Sequence, residues 1–209
     1  MKLVLACIAV VLLAAEVELQ RSKRPRKNSV VQAFTDAGIV PDVMPTAPEE
    51  LLGVCYGDVE INLGNEIFAG DGIELPTLEC DVVEPGCLYT VIIIDISVPC
   101  KETPTWRSYL MGMWMNVDDN MDLESSCEIA KYVAPSPIPG TGPHTYVIIL
   151  YKQAEEIDVT DENITRYQKD RLSFCVADFA AYNSLCPVAG NFYTSEFRCP
   201  YMKSSFNRG

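Results

Sequence analysis

The sequence holds a single histidine, His144. One imidazole cannot build a zinc site of the two-histidine kind, and the cysteines contain no Cys-x-x-Cys pair to compensate. Basic residues are also scarce: 16 Lys and Arg stand against 29 Asp and Glu, a formal net charge of −13. Without residues 1–27 the balance falls to −17, which repels phosphate backbones and anionic membrane surfaces. Nucleic acid is therefore not an expected partner. No Gly-x-Ser-x-Gly elbow presents a serine to His144, so acyl transfer is not expected. Gly140-Thr141-Gly142 lacks both a Gly-Lys-Ser/Thr tail and a following helix, which excludes a nucleotide loop. Asp118–Asp122 superficially matches the start of a calcium loop. Its sixth position is Leu123 and its twelfth Ile129, so a solvated turn is expected instead. Nothing in the chain implies a cofactor or a metal.

The apolar run Leu3–Ala15 is too short to span a bilayer. With Met1-Lys2 before it and Ala14-Ala15 at its end, it reads as a signal peptide over residues 1–15, and the protein as secreted. An uncleaved anchor is the alternative; once the signal is removed no transmembrane segment is expected. Arg21-Ser22-Lys23-Arg24-Pro25-Arg26-Lys27 resembles a dibasic processing site, but Pro25 hinders cutting, and a solvated basic arm over 16–29 is the expectation. Cys7 falls in the signal segment. The rest are Cys55, Cys80, Cys87, Cys100, Cys127, Cys175, Cys186 and Cys199, an even set that an oxidising compartment would pair into up to four disulfides. Their connectivity is open; Cys80 and Cys87 flank Pro85-Gly86 and suit a closed, hairpin-like loop. Asn163-Ile164-Thr165 is a glycosylation sequon inside the polar stretch 154–170, which reads as an exposed excursion.

Periodicity gives a coarse order of elements. A short helix is predicted over Val30–Ala37, ending at Gly38, and extended chain follows through Pro41, Pro45 and Pro48. Two strands are expected around Tyr56-Gly57, and residues 64–76 are turn-rich. Cys87–Ile96 carries a β-branched run that suits a central strand, ending near Asp95. Trp106–Asn116 is apolar and rich in methionine, a residue that fills irregular core gaps as readily as it lines a ligand wall. A loop of Pro and Gly over 137–143 leads through His144 into a buried strand, Val147–Leu150. A helix is predicted over Cys175–Asn183, a break at Pro187-Val188-Ala189-Gly190, and a last strand over Asn191–Phe197. The sum is one domain, mainly β (α+β) and mostly antiparallel.

Asp95 closes one predicted strand, while His144 and Tyr146 open another and share a face because they are two apart. If those strands are neighbours, the three polar groups converge. Imidazole and phenol can donate hydrogen bonds to a phosphate, and a carboxylate can hold a histidine or accept from an ammonium. Taken singly, each residue also has a structural explanation: a turn with a surface histidine, a loop-capping aspartate, an ordinary strand tyrosine.

Leu88-Tyr89-Thr90, Asp95-x-x-x-Pro99 and Gly140-Thr141-Gly142-x-His144-x-Tyr146-Val147 resemble the phosphatidylethanolamine-binding protein family. Val40-Pro41-Asp42-Val43 and Pro187-Val188-Ala189-Gly190-Asn191-Phe192 are similar to the same family, so the likeness spans residues 30 to 197 in order. It implies a large central antiparallel sheet, a smaller sheet and short peripheral helices, filling residues 30–203 before a tail at 204–209. It also implies a pocket for phosphate-like head groups, with Asp95, Pro99, Met111, Ser136, Pro137, His144 and Tyr146 on its positions. The pocket departs from the family pattern. Asp95-Ile96-Ser97-Val98-Pro99-Cys100-Lys101 lacks the usual second aspartate and arginine, Met111 stands in place of a pocket histidine, and Ser136 in place of a glycine. The resemblance implies a secreted, non-enzymatic protein that binds a small anionic or phospholipid head-group ligand in a divergent pocket. The alternative it implies is a surface-acting inhibitor of a secreted serine protease, or a signalling regulator, with a vestigial pocket.

Overall fold

The computed structural model describes residues 27–198. The signal segment 1–15, all but the end of the basic arm 16–29, Cys199 and the tail 204–209 lie outside the described residues. Among the described residues, the strands are β1 Glu50–Leu51, β2 Gly53–Tyr56, β3 Val59–Glu60, β4 Thr77–Glu79, β5 Tyr89–Asp95, β6 Tyr109–Val117, β7 Cys127–Ala130, β8 His144–Lys152 and β9 Cys186–Ser195. Helices are α1 Lys27–Asp36, α2 Glu162–Thr165 and α3 Val176–Tyr182. A large sheet runs in the order β1-β9-β8-β5-β6-β7, and a small antiparallel one in the order β3-β2-β4.

β5 and β8 take the centre because they are apolar on both faces. All of β5 and all of β8 except Lys152 are buried. Ile92, Ile94, Val147 and Ile149 face one core with Phe34, Met113 and Phe192. Val91, Ile93, Ile148 and Tyr146 face a second core with Leu52, Trp114 and Tyr193. Each fully buried isoleucine adds about 1.5–3 kcal/mol. The large sheet therefore separates two cores, and its central pair is fixed by both.

Several expectations need correction. The large sheet is mixed rather than antiparallel: β1 runs parallel to β9, Glu50 opposite Ala189 and Leu51 opposite Gly190. The cause lies upstream, where α1 docks Phe34 edge-on against Phe192 of β9 at 5.2 Å and so delivers the chain alongside that edge. The break at 187–190 is part of β9, which starts at Cys186. Pro187 is tolerated because it pairs with Tyr151 at a register shift, where a missing N–H disrupts least. The excursion 154–170 is not wholly exposed. Asp161 caps α2 by accepting from Asn163 N, Ile164 is buried, and Tyr167 packs edge-on against Phe174 and Phe179 at 5.1 and 5.3 Å. The helix over 175–183 is α3 with Cys175 and Asn183 as its caps. At 118–122 there is a turn in which Asp118 accepts from Asn120 N.

No disulfide joins six of the described cysteines. Cys55, Cys87, Cys100, Cys127, Cys175 and Cys186 are thiols. Strand order explains part of this: Cys127 on β7 and Cys186 on β9 are four strands apart, roughly 19 Å at the usual strand spacing, beyond the reach of a bridge. Cys80 and Cys87 both pack against the second core.

Candidate functional site

β5 ends, β8 begins and β9 ends at the same edge of the sheet, because neighbouring strands are antiparallel. The register sets Asp95 opposite Tyr146, and His144 opposite Ser195. The side chain of Asp95 then turns to His144, whose Nδ1 lies 2.7 Å from Asp95 Oδ2. Asp95 Oδ1 accepts from Ser97 N at 2.8 Å, a local turn that fixes the carboxylate. Ser97 Oγ in turn accepts from Thr145 N at 3.0 Å, which ties the end of β5 to the start of β8. Asp95 and His144 are both buried. Apolar packing on either side of the two strands thus forces a carboxylate and an imidazole together, and local turns hold them still.

An aromatic stack continues from the imidazole. The His144 ring lies over Tyr146 at 6.4 Å, and Tyr146 over Tyr193 at 5.0 Å with 17° between planes. Tyr56 of β2 meets Tyr193 edge-on at 5.7 Å. Tyr132 donates to the carbonyl of Gly72 at 2.7 Å and lies 3.4 Å from the Tyr56 hydroxyl. Burial first, then the Asp95 charge and then Tyr132, push the Tyr146 phenol well above its ordinary range. Burial first and then Tyr56 do the same for Tyr132. Both phenols therefore stay protonated at neutral pH and remain possible donors.

Of the residues expected in the site, Asp95, His144 and Tyr146 meet. Met111 is buried in the same core as Tyr146. It owes that direction to a register shift, since Ile93 pairs with Gly112 but Ile94 with Leu110. Glycine is required next to it: a Cβ at Gly112 would come within 2.6 Å of the Trp114 ring. Pro99 is half-buried in the loop after β5, and Pro137 is buried while Ser136 is exposed. Sequence reasoning assigned no part to Tyr56, Tyr132, Tyr193 or Thr141. The tyrosines come from distant segments, and only the quoted Gly-Thr-Gly pattern pointed to Thr141. Its hydroxyl is 2.9 Å from His144 Nε2. Arg171 was missed too; its guanidinium donates to the carbonyl oxygens of Leu110, Met111 and Lys131, pinning the start of β6.

The site end of the sheet also carries exposed apolar groups. Trp106 lies in the loop after β5, Ile138 in the loop before His144 and Phe197 just after β9; they are 51%, 61% and 45% exposed. Among the described residues no cluster of His, Cys, Asp or Glu is arranged to hold a metal ion, and no helix is long and apolar enough to cross a membrane.

The family model described as phosphatidylethanolamine-binding protein matches residues 57–192. A Drosophila melanogaster protein named for odorant binding, A5, is 28% identical over 182 residues, covering 86% of this chain and 85% of that one. A 26 kDa secreted antigen of Toxocara canis is 28% identical over 166 residues, covering 78% of this chain and 63% of its own length. Among solved structures, a phosphatidylethanolamine-binding protein from Plasmodium vivax superposes with a TM-score of 0.71 at 19% identity, over 84% of this chain and 99% of that one. A carboxypeptidase Y inhibitor, solved with its cognate proteinase, superposes with a TM-score of 0.69 at 21% identity, over 82% and 96%. Both likenesses are of fold.

Proposed function

Because the chain belongs to the phosphatidylethanolamine-binding protein family, we propose that it is a secreted, non-enzymatic binder of a small anionic or phospholipid head group, taken up at Asp95, His144 and Tyr146. The observation that carries this reading is the buried pair His144–Asp95 at 2.7 Å, stacked on Tyr146 at the open end of the sheet. A buried, oriented imidazole beside a protonated phenol is suited to an oxygen-rich anionic group and needs a reason to be kept out of water. The exposed Trp106, Ile138 and Phe197 at that end favour a ligand with an apolar part over a bare anion. Met111 supplies no hydrogen bond from the place where the family resemblance implies a histidine, so binding is weaker than a two-histidine pocket would give. Pro99, Ser136 and Pro137 are assigned to its rim.

Residues 1–15 act as the signal, 16–29 as a basic arm and 30–203 as the binding domain, with 204–209 as a tail. Asn163, exposed at the start of α2, carries a glycan. The relative named a secreted antigen supports an extracellular setting. The test is calorimetry with phosphoethanolamine. His144→Ala should weaken binding at least tenfold; an isotherm unchanged by that substitution would remove His144 from the site. A second reading, a proteinase inhibitor acting through its surface, is favoured by the fold likeness to the carboxypeptidase Y inhibitor. Inhibition of a secreted serine protease that survives His144→Ala, with no head-group binding in either protein, would select it.

A further inference from the structure

The contact between Thr141 and His144 has a direction, and the rest of the loop decides it. Thr141 Oγ1 lies 2.7 Å from the carbonyl oxygen of Ile138 and 2.9 Å from His144 Nε2. A carbonyl brings no proton and a hydroxyl brings one. Two oxygens at 2.7 Å with no proton between them repel, so the hydroxyl proton goes to Ile138. Oγ1 can then only accept from the ring, and Nε2 must carry a proton. On the other side of the ring, Nδ1 faces Asp95 Oδ2 at 2.7 Å while Asp95 Oδ1 is engaged by Ser97 N. An incoming anion finds one ring N–H on the Thr141 side, already in use.

We propose that Thr141 gates the site: it occupies the Nε2–H donor of His144 when the site is empty, and a ligand must displace it to bind. This deepens the head-group reading above and rests on it. The gate also sets specificity. An anionic oxygen accepts a hydrogen bond roughly twice as strong as a neutral hydroxyl does, so phosphate or carboxylate oxygens displace Thr141 and neutral alcohols do not. Gly140 and Gly142 on either side of Thr141 sit at φ 83° and 71°, and with no Cβ either can change conformation at little steric cost.

Because His144 is the only histidine, ¹⁵N-histidine labelling of the whole protein reports this ring alone. In the ligand-free protein at neutral pH, Nε2 should resonate in the protonated range; an unprotonated Nε2 overturns the gate. The second arm is calorimetry with phosphoethanolamine. Thr141→Val should tighten binding about tenfold, the scale of one freed hydrogen bond, while Thr141→Ser, which keeps the hydroxyl, should leave it unchanged. Ethanolamine, which lacks the anion, should not bind any of the three. Binding by wild type and Thr141→Val with equal affinity, or weaker binding by the variant with its circular dichroism intact, overturns the gate and leaves the head-group reading standing. No binding by any variant removes that reading and the gate with it.

Discussion

On the head-group reading proposed above, Met111 is the side chain that sets how strongly the site binds. It is buried in the core of Tyr146 and Tyr193, at the position where the family resemblance implies an imidazole. Replacing its thioether by a donor, Met111→His, should strengthen phosphoethanolamine binding by about 1–3 kcal/mol in calorimetry, after a smaller cost for repacking. The net charge of −13 opposes the anion equally in both proteins and cancels from the comparison. Unchanged affinity with an intact fold would mean that Met111 does not reach the ligand. At this scale the sequence was partly legible. Asp95, His144 and Tyr146 could be found because they are polar residues at the ends of apolar runs, and two of them share a strand face. Thr141 could not be assigned a role, because the direction of its hydrogen bond depends on a turn that only the fold closes. Tyr56 and Tyr193 reach the stack from strands well over a hundred residues apart in the chain, and nothing local marks either of them as a neighbour of His144.

Between elements, one amide carries much of the connection. Asn191 of β9 is fully buried and donates to the carbonyl oxygens of Leu52 and Ile61 at 2.8 and 2.9 Å. Its own oxygen accepts from Leu63 N at 2.9 Å. Leu52 precedes β2 and Ile61 follows β3, so a single side chain ties both ends of that hairpin to the large sheet. Asn191→Ala would take the side-chain partner from two carbonyls, Leu52 and Ile61, and from two N–H groups, Leu63 and Phe192, each costing about 1–3 kcal/mol where it stays buried and unpaired. The expected loss is about 3–5 kcal/mol in urea unfolding, at an unchanged m-value. A loss under about 1 kcal/mol would show that the packing of Leu52 and Val54 holds the hairpin by itself. Elements set by their own residues were readable in advance: β5 and β8 from β-branched runs, α3 from the spacing of Phe174, Phe179 and Tyr182. Those set by a distant partner were not. β1 is a two-residue strand defined by Ala189 and Gly190, and β9 extends across Pro187 and Gly190 because β8 is there to pair with it. In α2 and the turn after it, charged neighbours hid the two apolar residues that anchor them, Ile164 and Tyr167.

For the molecule as a whole, the tyrosines decide the alkaline limit of stability. Burial is the first cause in every case, and it pushes the phenols of Tyr56, Tyr132, Tyr146, Tyr151 and Tyr193 well above their ordinary value of 10.0. Four of the five belong to the cluster under the candidate site, with Tyr151 on the opposite face of the sheet. In the unfolded chain these groups ionise near pH 10, whereas in the fold they keep their protons to much higher pH. The native state therefore binds more protons than the unfolded state above pH 10. Stability is complete below that point and is lost as pH rises beyond it, at up to about 1.4 kcal/mol per pH unit for each group. Five groups together give a slope of about 7 kcal/mol per pH unit, against a total of about 5–15 kcal/mol for a domain of ordinary stability. Unfolding should then begin between about pH 10 and 12 and be steep. Phenolate absorbance at 295 nm should rise for these tyrosines together with the loss of near-UV circular dichroism, since ionisation and unfolding are one event. Tyr146→Phe should make the transition shallower by about one part in five, because it removes one of the five linked protons. If all ten tyrosines titrate while the near-UV spectrum stays native, the phenols are reachable by solvent in the folded protein, and the tyrosine cluster beneath His144 does not set the alkaline limit.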